Sequence, residues 1–175
     1  MATISKETIH EVEEGKIQPT QALGIDEKQV AAVLMAGHTL YSEGHFEDAK
    51  KLFEGLAALD STNPYVHGIL GAIYQKQEKY DVAVARYSMA LSLYPKDINS
   101  LTNRGEIFLK CGKFSEAAND FKAAIDLDPD RKSPAANRAR LLVALTAEAL
   151  KIAKEKGVGA VYEAKERIDQ QIGAA

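Results

Sequence analysis

The stretch GHFEDAKKLF, Gly44–Phe53, returns twice in altered form, as EKYDVAVARY, Glu78–Tyr87, and as GKFSEAANDF, Gly112–Phe121. Each copy begins 34 residues after the one before it. The register extends beyond the quoted residues. Gly37, Gly71 and Gly105 share the spacing, as do Phe46, Tyr80 and Phe114; Ala49, Ala83 and Ala117; and Phe53, Tyr87 and Phe121. Columns that stay in step over three copies mark a repeat array, in which each unit buries its apolar face against its neighbours. The array spans residues 30–131.

Inside each unit the apolar period is helical. Leu70, Ile73 and Tyr74 fall at i, i+3, i+4, and Ala83, Tyr87, Ala90 and Leu91 repeat that face on a second segment. Gly44, Glu78 and Gly112 lie between the two segments, at a tight turn. Pro95 and Pro129 close the second and third units, where a new helix must start. Each unit therefore reads as helix–turn–helix. Gly37, Gly71 and Gly105 sit within the first helix although glycine costs ~1 kcal/mol there relative to alanine. A close helix–helix approach accounts for them. Ala49, Ala83 and Ala117 are expected to face them from the second helix, with the aromatic residues filling the adjoining space.

Small residues at these two places, a 34-residue unit and a proline near its end resemble the tetratricopeptide repeat. The resemblance implies an all-α fold, a right-handed superhelix of three helix–turn–helix repeats with an N-terminal helix and a C-terminal capping helix. Its concave wall would be lined by the first helix of each pair. The first repeat departs slightly, with Gly55 and Leu56 where small residues are usual and Pro64 opening the next unit.

The flanks divide the rest. Residues 132–156 hold SPAANRARLLVALTAEALKIAKEK, with a serine cap, a first-turn proline and no breaker before Gly157. Terminal repeats need such a cap. Leu141, Leu145 and Ala149 are expected to cover the last repeat, with Arg138, Glu148 and Lys151 in water. Residues 157–175 carry a final helix at about 160–172. Residues 1–29 begin with a short helix, with a capping-box start at Ser5, and Asp26 is placed to cap the first repeat helix. Ile4, Ile9, Val12, Ile17 and Leu23 give this segment more apolar content than a disordered tail needs. A helix so short is unstable alone in water. It needs a surface, either its own array or a second copy of the chain in a weak homodimer.

Of 175 residues, 46 % are hydrophobic and 27 % charged, a normal globular composition. The formal net charge of −3 argues against nucleic acid or an anionic membrane as partner. A single cysteine, Cys111, fits a reducing compartment. The N-terminus has no secretory pattern and no stretch is apolar enough to span a membrane, so a cytoplasmic protein is expected. Phosphate loops, HExxH, CxxC and GxSxG are absent, and His10, His38, His45 and His67 are scattered without metal-ligand spacing. Cys111 reads as a semi-buried filler rather than a nucleophile. The expected function is binding, not catalysis, with neither metal nor cofactor.

The inward positions of the first helices are Ala31, Leu34, His38 and Tyr41, then Tyr65, Gly68, Ala72 and Gln75, then Asn99, Thr102, Glu106 and Leu109. An apolar, aromatic-edged groove with a few amides and hydroxyls suits an extended peptide with apolar anchors. The bland alternative is that Leu34 and Tyr41 merely pack against the N-terminal segment. Arrays that hold a free C-terminal carboxylate use cationic clamps, whereas Leu34, His38, Asn99 and Asn103 stand at those positions here.

The opening, TIHEVEEGKIQPTQALGIDEKQVAAVLMAGHTLYSEGHFEDAKKLFEGLAALD, resembles the class II type III secretion chaperones. The shared features are a short helix ending at Glu14–Gly15, a lead-in ending Leu23–Gly24–Ile25, Tyr41 before Gly44, then Phe53, Leu56, Leu59 and Asp60. Three repeats followed by a longer helix are also that family's layout. The resemblance implies a small cytoplasmic chaperone that holds an extended segment of a translocator, dimerises through its N-terminal region and in some members acts with a transcriptional activator. Carried over by position, the groove contacts are Leu34, His38, Tyr41, Tyr65, Ala72 and Leu109. His38 stands where that family commonly has an aromatic. The alternative is a general tetratricopeptide-repeat interaction scaffold unrelated to secretion.

Overall fold

The turn positions 44, 78 and 112 all adopt positive φ, +84° at Gly44, +60° at Glu78 and +73° at Gly112. That left-handed conformation reverses the chain between paired helices, and glycine meets it without strain. In the computed structural model, which describes residues 5–156, every regular element among those residues is a helix. In chain order these are α1 (Lys6–Glu13), α2 (Pro19–Ala22), α3 (Glu27–Ser42), α4 (Phe46–Leu59), α5 (Pro64–Lys76), α6 (Tyr80–Leu93), α7 (Ile98–Lys110), α8 (Phe114–Asp126) and α9 (Pro134–Lys156). The pairs α3/α4, α5/α6 and α7/α8 pack as the three repeats. The helix expected at 160–172 lies outside the described residues.

Each first helix starts on a side-chain cap. The Asp26 carboxylate accepts from the Gln29 N–H at 2.8 Å while Gln29 Oε1 accepts from the Asp26 N–H at 2.9 Å, a reciprocal capping box. Asn63 accepts from Tyr65 and Val66, and Asp97 accepts from Asn99. Ser5 caps α1 through the Thr8 N–H at 3.0 Å, but no capping box forms there. The third helical residue is Thr8, whose short hydroxyl bonds the Ser5 oxygen instead.

The chain divides into two compact units, one ending at Leu93 and the other beginning at Tyr94. In the first, Ala49, Phe53, Leu56, Val66, Leu70 and Ile73 form the core between α3, α4 and α5. Ala49 and Ala83 are fully buried, as the repeat register requires. The glycines, however, face the aromatic column rather than the alanines. A Cβ on Gly37 would lie 2.9 Å from the Phe53 ring, and one on Gly105, in the second unit, 2.7 Å from the Phe121 ring.

In the second unit α9 packs on α7 and α8. Among its described side chains Ala135, Ala136, Ala139 and Leu142 are buried, while Leu141 is 47 % exposed. Of the residues expected to cover the last repeat, Leu141 is thus exposed, Leu145 is half-buried and the side chain of Ala149 lies outside the described residues, while Glu148 and Lys151 are exposed as expected. Arg138, expected in water, pairs with Glu106 and donates to Asn103 Oδ1 at 2.5 Å. A seat of alanines brings α9 close enough for arginine side chains to reach acids on the repeat. Cys111 is exposed rather than semi-buried. It is the C-cap of α7, immediately before the left-handed Gly112, where the chain turns outward.

Candidate functional site

The helical period places Leu34, His38 and Tyr41 along one face of α3, and Tyr65, Ala72 and Gln75 along one face of α5. Within the first unit these positions differ in how much surface they offer. His38 is exposed and Tyr65 is 47 % exposed, whereas Leu34, Tyr41 and Ala72 are half-buried. Leu34 and Tyr41 both pack against the core cluster. Leu34 lines a shallow pocket with Val30, Leu56, Leu59 and Val66, and Thr20 of α2 stands at its edge. The Tyr41 ring meets Phe46 edge-on at 5.6 Å between centroids.

Tyr65 is held differently. Its ring stands edge-on to Phe53 at 6.5 Å, so the anchor is the same aromatic that fills the Gly37 gap. Partial burial pushes its phenol above the ordinary tyrosine pKa. Gln75 is oriented from below, because Oε1 accepts from the Tyr87 hydroxyl at 2.8 Å. His67, on the opposite side of α5, is buried and ties the helix to the preceding loop, its Nε2–H donating to the Ser61 carbonyl at 2.9 Å. It is a packed structural histidine. Among the described residues no group of three or more His, Cys, Asp or Glu is placed to hold a metal ion.

In the second unit the inner face of α7 is largely covered. Thr102 is buried and donates to the Ala135 carbonyl at 3.2 Å. Glu106 is buried against Arg138, and Leu109 keeps 8 % of its surface, while Asn99 is exposed. The ion pairs of this unit were not anticipated. Arg104 grips Asp120 with two bonds of 2.8 and 2.7 Å, and Arg140 reaches Asp128 at 3.1 Å. The available signal was an acid at an inner, core-facing register position, Glu106, which demands a buried partner.

An arrangement of this kind can hold an extended chain. An exposed aromatic and an imidazole, with apolar edges between them, offer side-chain anchors and hydrogen bonds to an extended backbone. Among the described residues no helix is long and apolar enough to cross a membrane.

Comparisons with known proteins agree with this architecture. Two tetratricopeptide-repeat family models match, over residues 34–98 and 70–144. The low calcium response locus protein H of Yersinia pseudotuberculosis is 30 % identical over 115 residues, covering 66 % of this chain and 67 % of that protein. Hsp70-Hsp90 organizing protein 1 of Glycine max is 34 % identical over 83 residues, or 47 % of this chain, but the match spans only 14 % of that much longer protein. The Yersinia enterocolitica type III secretion chaperone SycD, solved with a peptide of the translocator YopD, superposes with a TM-score of 0.63 at 26 % identity, over 74 % of this chain and 98 % of that one. The same chaperone has also been solved as an alternative dimer. Repeat register, turn geometry and two-thirds coverage of the response-locus protein converge on one assignment: the chain belongs to the tetratricopeptide-repeat family of class II type III secretion translocator chaperones.

Proposed function

We propose that the protein is a chaperone that holds an extended segment of a secreted translocator on the inner faces of its repeat helices, keeping that segment soluble before type III export. The observation that carries this reading is the inner face of the first unit, where His38 and Tyr65 keep their surface and the small Ala72 is half-buried. Leu34 and Tyr41 supply apolar edges to the same face, whereas Leu109, named with them from the sequence, is buried in the second unit. SycD, crystallised with a translocator peptide, supports the identity of the client. Binding is non-enzymatic, needs no cofactor, and takes place in the cytoplasm, where an unexported translocator would otherwise aggregate.

The division of labour follows the elements. Residues 30–131 form the client-binding array, residues 132–156 cap it, and residues 1–29 mediate weak self-association. The last role accounts for α1, which has no buried residue and exposes 47 % of Ile9. The test is co-expression with a long protein that carries apolar membrane segments, sought among the genes neighbouring this chain's own. The expected result is a soluble complex that survives gel filtration, with the client insoluble when expressed alone. A client equally soluble without this chain, or one that never co-elutes, would overturn the reading.

A further inference from the structure

The pocket beside Leu34 has an apolar wall and two polar residues from the loop between α4 and α5. Val30, Leu34, Leu56, Leu59 and Val66 make the wall, and Asp60 and Asn63 complete the lining. Asp60 is half-buried. Its Oδ1 accepts from the Thr62 N–H at 2.8 Å and from the Thr62 hydroxyl at 2.6 Å, and among the described residues nothing donates to Oδ2. The Asn63 amide is oriented by its capping role, because Oδ1 accepts from the N–H groups of Tyr65 and Val66. Its N–H2 remains a donor with no partner among the described residues.

The repeat register supplies an internal comparison. Asp128 stands two periods after Asp60. There the backbone N–H groups of Lys132 and Ser133 donate to Oδ1, and the Arg140 guanidinium donates to Oδ2 at 3.1 Å. The following helix thus brings a cation to the acid of the third repeat, whereas α5 brings none to Asp60. The apolar wall also belongs to the first repeat. Leu34, Leu56 and Val66 are replaced in register by Gly68, Ala90 and Ser100, then by Thr102, Ala124 and Pro134, although Leu59 recurs as Leu93 and Leu127. The pocket holds about 250 Å³ of space open to solvent, below the roughly 300–1,000 Å³ of a small-molecule site. It suits one side chain. Leu34 belongs both to this wall and to the inner face of α3, so the pocket adjoins the surface assigned to the client.

We propose that this pocket reads an aliphatic residue next to a basic one in the client segment. The aliphatic side chain fills the apolar wall, the neighbouring arginine or lysine donates to Asp60 Oδ2, and the Asn63 amide donates to a backbone carbonyl between them. This rests on the reading of the chain as a holder of extended segments and adds a sequence requirement to it. A charge-assisted bond is roughly twice as strong as a neutral one. A client that covers the pocket without a cation leaves the carboxylate desolvated and unpaired, and one with an acid there is repelled.

The test is amide NMR titration of the full chain with the blocked peptide acetyl-Ala-Ala-Leu-Arg-Ala-Ala-amide and its Leu-Glu and Ser-Arg counterparts. The Leu-Arg peptide is expected to shift the amides of Asp60, Asn63 and Val66, and to bind at least about fivefold more tightly than either counterpart. Asp60→Asn keeps an oxygen for the Thr62 N–H and removes the charge, so it should abolish the preference for Leu-Arg over Leu-Glu. Asp60→Arg should reverse that preference. Equal affinity for the three peptides, an Asp60→Asn variant that keeps the preference, shifts confined to His38 and Tyr65, or no binding at millimolar Leu-Arg peptide overturns the proposal. Co-expression with the translocator separates it from the reading it rests on. A translocator retained equally by Asp60→Arg leaves the client reading standing and removes this pocket from it. Peptide selectivity at Asp60 with no translocator retained leaves the pocket standing and removes the client reading.

Discussion

The ring of Tyr87 occupies the space that a side chain on Gly71 would need, since a Cβ built there lies 2.7 Å from two ring carbons. Tyr87 is 1 % exposed and its hydroxyl is committed to Gln75. The ring has nowhere to go. Gly71→Ala should therefore destabilise the protein by roughly 1–3 kcal/mol, the cost of overpacking a filled core, although alanine is the better helix former. Gly55, within α4, has nothing within 4 Å of its built Cβ. There the same substitution should stabilise by about 0.5–1 kcal/mol through helix propensity alone. Urea unfolding of both variants checks the pair, and a neutral Gly71→Ala would mean the helices are less closely packed than the geometry requires.

Glu78 is the turn residue that breaks the pattern set by Gly44 and Gly112. Its φ of +60° is left-handed, where a Cβ crowds the following carbonyl. Glu78→Gly should relieve that strain and raise stability by about 0.5–1 kcal/mol, the residual after glycine's extra chain entropy is lost. The reverse change, Gly112→Glu, should cost a similar amount, measured by the shift in urea midpoint at constant slope. A loss of stability in Glu78→Gly would show that its side chain contributes more than the turn strain removes.

The repeat units were legible because their signals are local and recur. The 34-residue register located the helix pairs, and Gly44, Glu78 and Gly112 marked turns that all prove left-handed. The partner of Gly71 was harder to read, because Ala83 and Tyr87 lie one turn apart on the same helix and the pattern alone does not say which approaches. The face of α9 was misassigned for a related reason. Its sequence is apolar on several sides, so periodicity did not distinguish Leu141 from Leu142, and the choice was made by the acids Glu106 and Asp128, which draw Arg138 and Arg140 inward. Of the groove, sequence gave positions but not accessibility. Leu34 and His38 share a helical face, yet one enters the core and the other stays in water.

Asp128 anchors the start of α9 and should make it sensitive to acid. Burial by itself would raise the pKa of this carboxyl. Hydrogen bonds from Arg140 and from the backbone N–H groups of Lys132 and Ser133 outweigh burial and hold it below the ordinary aspartate value. The unfolded chain thus binds the proton more readily than the folded one. The stabilisation is complete above the unfolded pKa of about 3.9 and is lost as the pH falls through the lower folded value. Amide exchange in residues 134–148 should therefore accelerate below about pH 4 relative to α7, and Asp128→Asn should show the faster exchange already at neutral pH. Unchanged protection in that variant would assign the attachment of α9 to its alanine face alone.

The sharpest mutational separation is expected on the inner face of the first unit. Leu34 packs against the core and lines the pocket with Leu56 and Val66, so Leu34→Glu places a charge where desolvation is costly. It should lose about 2–4 kcal/mol of stability and bind client poorly because less of it is folded. His38 and Tyr65 retain their surface, and only the inner edge of Tyr65 touches Phe53. His38→Glu and Tyr65→Glu should leave helicity intact and move the melting temperature little. They should nonetheless weaken a translocator peptide at least about tenfold, because a desolvated anchor contributes more to binding than to folding. Anisotropy titrations beside thermal melts distinguish the two classes directly. If Tyr65→Glu melts as early as Leu34→Glu, the ring belongs to the core. If it melts normally and binds normally, the client lies elsewhere on the chain.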